Sequence, residues 1–148
     1  MATDLGPRLG ARLTYFLKRA LADLEALHGQ HLAPFGINGR ELGVLLFLEG
    51  REPESQQQAA ANMGIDRTTM VALLDGLEAK GLVARRPDPA DRRRNVVELT
   101  DAGRATLPEA IKASDAAERE LLAALDDREA AQLRELLARV AATPRARG

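Results

Sequence analysis

Three arginines, Arg92-Arg93-Arg94, stand in a row after Pro87-Asp88-Pro89-Ala90-Asp91, and Arg85 and Arg86 precede that loop. Guanidinium groups clustered in this way suit phosphate oxygens, and one at a loop tip can enter a narrow minor groove, where the negative potential is enhanced. A solvated charge run is the ordinary alternative for an Arg-rich loop. The residues just upstream weigh against it. Asp66 reads as the N-cap of a helix running to Lys80 and closed by Gly81. Met70, Leu73, Leu74 and Leu77 fall on one face of that helix. Arg67, Thr68, Val71, Ala72, Asp75 and Ala79 fall on the other, with Thr69 at the boundary. Small side chains let a helix lie close against base edges; arginine can donate two hydrogen bonds to guanine, and threonine can contact a thymine methyl or a phosphate.

Other chemistries lack their residues. There is no cysteine, which removes disulfides, thiolate nucleophiles and thiol redox sensing together. With two histidines, no phosphate loop and no triad-like constellation, an enzyme is poorly supported. His28 and His31 are three apart on one helix face, a spacing that suits two ligands of one metal, but no third ligand is evident and no metal or cofactor is expected. The same pair could equally make a pH-sensitive site.

The elements that would position the arginines can be read from caps and periodicity. Ser55 with Gln58 repeats the N-cap signature and starts a short helix through Asn62; Met63-Gly64-Ile65 is a tight turn; then comes the Asp66 helix. Two capped helices joined by a short Gly-containing turn form a helix-turn-helix. Leu82 to Arg86 and Asn95 to Thr100 read as strands flanking the arginine loop, making a β-hairpin. Upstream, Leu9, Leu13, Phe16, Ala20, Leu24, Leu27 and His31 recur at three and four, predicting a helix of about six turns from near Pro7 to Leu32. Ala33-Pro34-Phe35-Gly36-Ile37 breaks it. Asn38 with Glu41 caps a second helix, Arg40 to Glu49, apolar nearly all round and so central to the core. Downstream, Thr100 or Asp101 caps a long helix to about Leu125, with a kink expected at Pro108, and Asp126 with Glu129 caps a last helix ending at Thr143-Pro144.

At 148 residues the chain is one domain by length, mainly α-helical with a small β-hairpin. No stretch approaches the ~18 apolar residues of a membrane span, and the start MATDLGPR lacks the features of a signal peptide, so a cytoplasmic protein is expected. Lys and Arg number 21 against 22 Asp and Glu, a formal net charge of −1, which taken as a sum speaks against nucleic acid. The distribution says otherwise. Residues 65–94 hold seven basic and five acidic side chains, a net of +2, leaving −3 for the remainder.

The stretches GIDRTTMVALLDGLEAKGLVARR and PDPADRRRNVVELTDAG resemble the MarR family of bacterial winged-helix transcriptional regulators, and the order of elements is similar over essentially the whole chain. The resemblance implies a winged helix-turn-helix over residues 37–100, with dimerisation helices in 1–36 and 101–148. It places the family's wing motif Asp-x-Arg on Asp91 and Arg93, with Arg93 in the minor groove and Arg92 and Arg94 near phosphates. Many members carry basic residues where Ala72 and Gly76 stand here, so specificity would rest more on Arg67, Thr68, Thr69 and DNA shape.

The implied function is a homodimeric repressor reading double-stranded DNA as a pseudo-palindrome, with half-sites about one helical turn apart. The dimer would be built from Leu121, Leu122, Leu125, Leu133, Leu136, Leu137 and Val140 together with the partner's first helix. The alternative is a winged-helix protein-interaction module with weak or no specific DNA binding. In the family, effectors commonly bind between the dimerisation helices and the head, and a small phenolic or other aromatic ligand is the effector considered. Candidate lining residues are Tyr15, Phe16, His28, His31, Phe35 and Phe47.

Overall fold

The computed structural model describes residues 4–144. Its elements run α1 (Gly6–Leu9), α2 (Leu13–His31), a 3-10 turn (Ala33–Phe35), α3 (Gly39–Leu48), β1 (Glu54–Ser55), α4 (Gln56–Met63), α5 (Arg67–Ala79), β2 (Val83–Pro87), β3 (Asn95–Leu99), α6 (Asp101–Leu121) and α7 (Asp127–Ala142). The chain is mainly helical with a small antiparallel sheet, the architecture of a winged helix.

Local chemistry starts most of the helices. Asn38 accepts from the Glu41 backbone N–H while the Glu41 carboxylate accepts from the Asn38 N–H, a reciprocal capping box, and Asp126 with Glu129 repeats it at α7. Ser55, Asp66 and Thr100 each accept from the backbone N–H three residues on.

Two elements differ from what periodicity predicts. The expected first helix is split, because the chain leaves α1 at Gly10 and Arg12 takes extended backbone (φ −81°, ψ 135°) before α2 begins. Two glycines, Gly6 and Gly10, bracket α1 and weaken helix formation there, so the apolar repeat continues across a break. In addition β1, two residues long, pairs with β3 (Glu54 opposite Val97, Ser55 opposite Val96), giving the sheet order β1-β3-β2. The long helix α6 continues through Pro108 and ends at Leu121, a turn short of Leu125.

The core sits where α3, α5, the sheet and the first half of α6 meet. Leu45, Leu74, Leu77, Met70, Val83, Val97 and Leu107 are essentially inaccessible to solvent. By contrast, α2 and α7 have no buried residue, and Leu13, Phe16, Leu17, Leu21, Leu136 and Leu137 lie exposed along them.

A backbone junction ties the hairpin to α6. Thr100 donates its N–H to the Leu82 carbonyl (3.1 Å) and its hydroxyl to the Gly81 carbonyl (2.6 Å). Gly103 is buried against this junction, where an added Cβ would stand 2.1 Å from the Leu82 carbonyl oxygen. Backbone cannot yield as a side-chain end can, so Gly103→Ala should destabilise the protein by about 1–3 kcal/mol in urea unfolding. An unchanged midpoint would mean the junction is looser than described.

Candidate nucleic-acid interface

The two halves of the helix-turn-helix, α4 and α5, are joined through Gly64 in the left-handed region (φ 66°). Asp66 then anchors the first turn of α5: its carboxylate accepts from the Thr69 N–H (2.8 Å) and the Thr69 hydroxyl (2.7 Å). These bonds, the hydroxyl's first, hold the Asp66 carboxyl below its ordinary range. Thr69 is thereby committed to the cap and half-buried. Arg67, Thr68 and Ala72 remain exposed on the outer face.

The far end of α5 is a sharp corner. Gly81 adopts a left-handed conformation (φ 74°) that side-chain-bearing residues rarely take, and the chain doubles back into β2. Across this corner Arg85 of β2 reaches back to α5. Its Nη2 donates to Asp75 Oδ1 (2.5 Å) and to Glu78 Oε1 (3.1 Å), while its backbone N–H donates to Glu78 Oε2 (3.2 Å). The Arg85 side chain keeps 17% of its accessible surface, so it serves as a clasp between recognition-type helix and hairpin. Arg86 lies across the hairpin from Glu98, 3.4 Å from its carboxylate.

The hairpin tip has an ordered turn. Asp88 donates its N–H to the Arg94 carbonyl (2.8 Å), and Arg94 donates its own to the Asp91 carbonyl (2.9 Å). Asp91 Oδ1 accepts from the Arg93 N–H (3.1 Å) and lies 3.3 Å from its Nε; Oδ2 lies 3.7 Å from Arg94 Nε. Asp91 thus shapes the turn and aims the arginines. Arg93 extends outward with 92% of its side chain exposed, and Arg92 and Arg94 flank it.

The aromatic and histidine candidates do not converge. Tyr15 and Phe16 line a groove of about 580 Å³ between α2, α6 and α7. His28 lines a separate groove of about 380 Å³ with Leu24, Asn38, Gly39 and Arg40, and its Nε2 is 2.9 Å from Ser114 Oγ. His31 instead meets Glu120 (2.7 Å) on the exposed side. Phe35 packs against the core, and Phe47 lies under the Arg51 guanidinium, 4.2 Å from the ring centre. Among the described residues no group of three or more His, Asp or Glu side chains is placed to hold a metal.

Residues 35–94 match the family model described as MarR family. A probable transcriptional regulator from Pseudomonas aeruginosa superimposes with a TM-score of 0.83 at 32% identity, covering 89% of this chain and 98% of that one. The transcriptional repressor CouR, bound to a 23-mer DNA duplex, superimposes with a TM-score of 0.83 at 34% identity, covering 95% and 99%. The chain belongs to the MarR family. CouR from Rhodococcus jostii RHA1 has also been crystallised with p-coumaroyl-CoA (31% identity, TM-score 0.75, coverage 94% and 98%). Among curated relatives, the HTH-type transcriptional repressor NicR of Pseudomonas putida is 30% identical over 93 residues. That alignment spans 63% of this chain and 59% of NicR.

The Arg85 clasp was outside the reach of linear spacing in this MarR-family chain, and it sets a pH dependence. The Glu78 carboxyl is held below its ordinary value of 4.5, first by the Arg85 side-chain hydrogen bond and then by the Arg85 N–H. A carboxyl depressed in the folded state contributes its full stability above the unfolded value and loses it as pH falls through the folded one. The stability difference between wild type and Glu78→Gln should therefore be constant above pH ~5 and shrink below pH ~4.5 in urea titrations. A difference that persists undiminished at pH ~3 would contradict the clasp.

Proposed function

We propose that this MarR-family chain is a bacterial transcriptional regulator that binds double-stranded DNA as a homodimer and represses from a pseudo-palindromic operator. The observation that carries the reading is the pairing of an exposed α5 face, Arg67, Thr68 and Ala72, with a wing tip that projects Arg93, the two held together by Arg85. α5 enters the major groove with Arg67 and Thr68 on base edges or phosphates. Arg93, aimed by Asp91, enters the adjacent minor groove, and Arg92 and Arg94 lie against phosphates. Arg86, exposed on β2 and paired with Glu98, is a further cation near the wing, whereas Arg85 acts by positioning and Thr69 by capping.

The dimer is built from residues 1–36 and 101–148. Leu13, Phe16, Leu17 and Leu21 of α2 and Leu136 and Leu137 of α7 form an exposed apolar surface too extensive for an isolated monomer, and a second copy of the chain covers it. Residues 37–100 form the reading head, which needs no catalytic group; the protein is not an enzyme and acts in the cytoplasm, where its DNA lies.

CouR's aromatic acyl-CoA ligand supports a small aromatic effector here. The groove beside His28, Asn38 and Arg40 suits such a ligand best: it lies between dimerisation helix and head and touches the apolar surface that the second copy covers at Leu21. The protein-interaction reading fails to use the projecting arginines and is not favoured.

The test is binding to duplex DNA across salt concentrations. Affinity should fall steeply as salt rises, and Arg93→Ala should weaken binding and reduce the salt slope by about 1. If Arg93→Ala left both affinity and slope unchanged, the wing would not be a DNA contact.

A further inference from the structure

Glu41 is the buried charged side chain among the described residues, with 6% of its surface accessible, and the cap role read from sequence occupies half of its carboxylate. Oε1 accepts from the Asn38 N–H at 3.1 Å. Oε2 accepts from Lys80 Nζ at 2.7 Å. Lys80 is the residue that closes α5, one position before the Gly81 corner from which the wing departs. One carboxylate therefore joins the first turn of α3 to the hinge between the two reading elements. The space above it is kept small: a Cβ at Gly76 of α5 would meet Glu41 Oε2 at 3.5 Å.

The α3 end of this link is itself gripped by the scaffold. The His28 ring of α2 sits on Gly39, the first residue of α3, so closely that an added Cβ there would come within 2.7 Å of Nδ1. The same ring bonds Ser114 of α6 through Nε2. The scaffold helices α2 and α6, the α3 start and the α5 end are thus in continuous contact through Ser114, His28, Gly39, Glu41 and Lys80. The Glu41 side chain is 8% exposed while that of Lys80 keeps 40%, so displacing Lys80 leaves the buried carboxylate without its counter-ion, and the pair holds a narrow geometry on the Glu41 side. A rigid pair of this kind transmits a shift of one element to the other.

We propose that the Glu41–Lys80 pair is a positioning strap that fixes the pose of α5 and the wing relative to the scaffold, and that specific DNA reading depends on it although neither residue touches DNA. The proposal rests on the DNA-binding reading above. It identifies the route by which an effector seated beside His28 and Asn38 would reach the reading head.

Glu41→Gln separates the strap from the cap, since the amide oxygen still accepts from Asn38 while the charge facing Lys80 is gone. Lys80→Met removes the other end, and Lys80→Arg preserves the charge. The probes are a duplex selected by the wild-type protein from a random-sequence pool and sonicated genomic DNA. Each of Glu41→Gln and Lys80→Met should bind the selected duplex about tenfold more weakly and genomic DNA with unchanged affinity and salt slope. The double variant should be no weaker than either single, and Lys80→Arg should recover most of the loss. Hydrogen exchange gives a reading independent of DNA: amides of residues 77–86 should exchange faster in Glu41→Gln, with α7 unaffected.

Additive losses in the double variant would overturn the strap. So would a reduced salt slope in Lys80→Met, which would make Lys80 a phosphate contact. Exchange that is unchanged, or uniformly faster throughout the core, would overturn it as well. A wild-type protein that selects no sequence would instead sink the DNA-binding reading, and the exchange measurement would still decide the strap.

Discussion

The helix α5 and the hairpin leave a single corner in diverging directions, and a guanidinium held between two carboxylates ties one to the other. Besides the backbone at Lys80-Gly81-Leu82 and the apolar packing of Val83 with Leu74 and Leu77, the Arg85 contacts to Asp75 and Glu78 tie β2 to α5. The packing holds the base of the hairpin, and the guanidinium bridge adds a polar tie farther along β2. With them, helix and wing become one body whose spacing can match adjacent grooves. The arrangement has an electrostatic consequence. The Arg85 charge is matched by Asp75 and Glu78 and that of Arg86 by Glu98, so the projecting positive charge is concentrated in Arg67 and the tip arginines. Asp91 performs the corresponding task at the tip, ordering the turn through backbone bonds while leaving Arg93 extended.

Burial is distributed as unevenly as charge. The dry core belongs to the head and the adjoining half of α6, whereas α2 and α7 present their apolar stripes to solvent. A chain of this size can bury a larger fraction of its apolar surface than this in one copy. The terminal helices make physical sense when two copies share them, and two heads then come under one geometric constraint. The near-zero net charge hides a local concentration: residues 65–94 carry +2, which the −3 of the rest of the chain offsets.

The parts that were legible in the sequence are those set by local chemistry. Asn38, Ser55, Asp66, Thr100 and Asp126 each start a helix because a side-chain oxygen reaches an N–H three residues on, a relation that needs no tertiary context. The hairpin and its arginine tip follow from turn chemistry in the same way. What was not legible depends on pairing across distance. β1 is too short to carry a period and exists because β3 lies beside it. The break between α1 and α2 interrupts an apolar repeat that continues on both sides. Arg85 reads in sequence with the neighbouring arginines because its partners lie seven and ten residues back, across a reversal of the chain; the acid Asp75 on the outer face of α5 is the available signal. Glu41 showed its cap role and hid its second, since Lys80 is 39 residues away. The pocket candidates were gathered by residue type, and position scattered them.

Two heads joined through a shared scaffold fix the distance between half-sites. Affinity should be measured for duplexes carrying two half-sites spaced about one helical turn apart, and for the same duplexes with about five extra base pairs between them. Half a turn of added twist puts the second half-site on the opposite side of the duplex, and affinity should fall to that of a single half-site. Equal affinity for both spacings would mean that each head binds alone, and would contradict the dimeric reading of this fold.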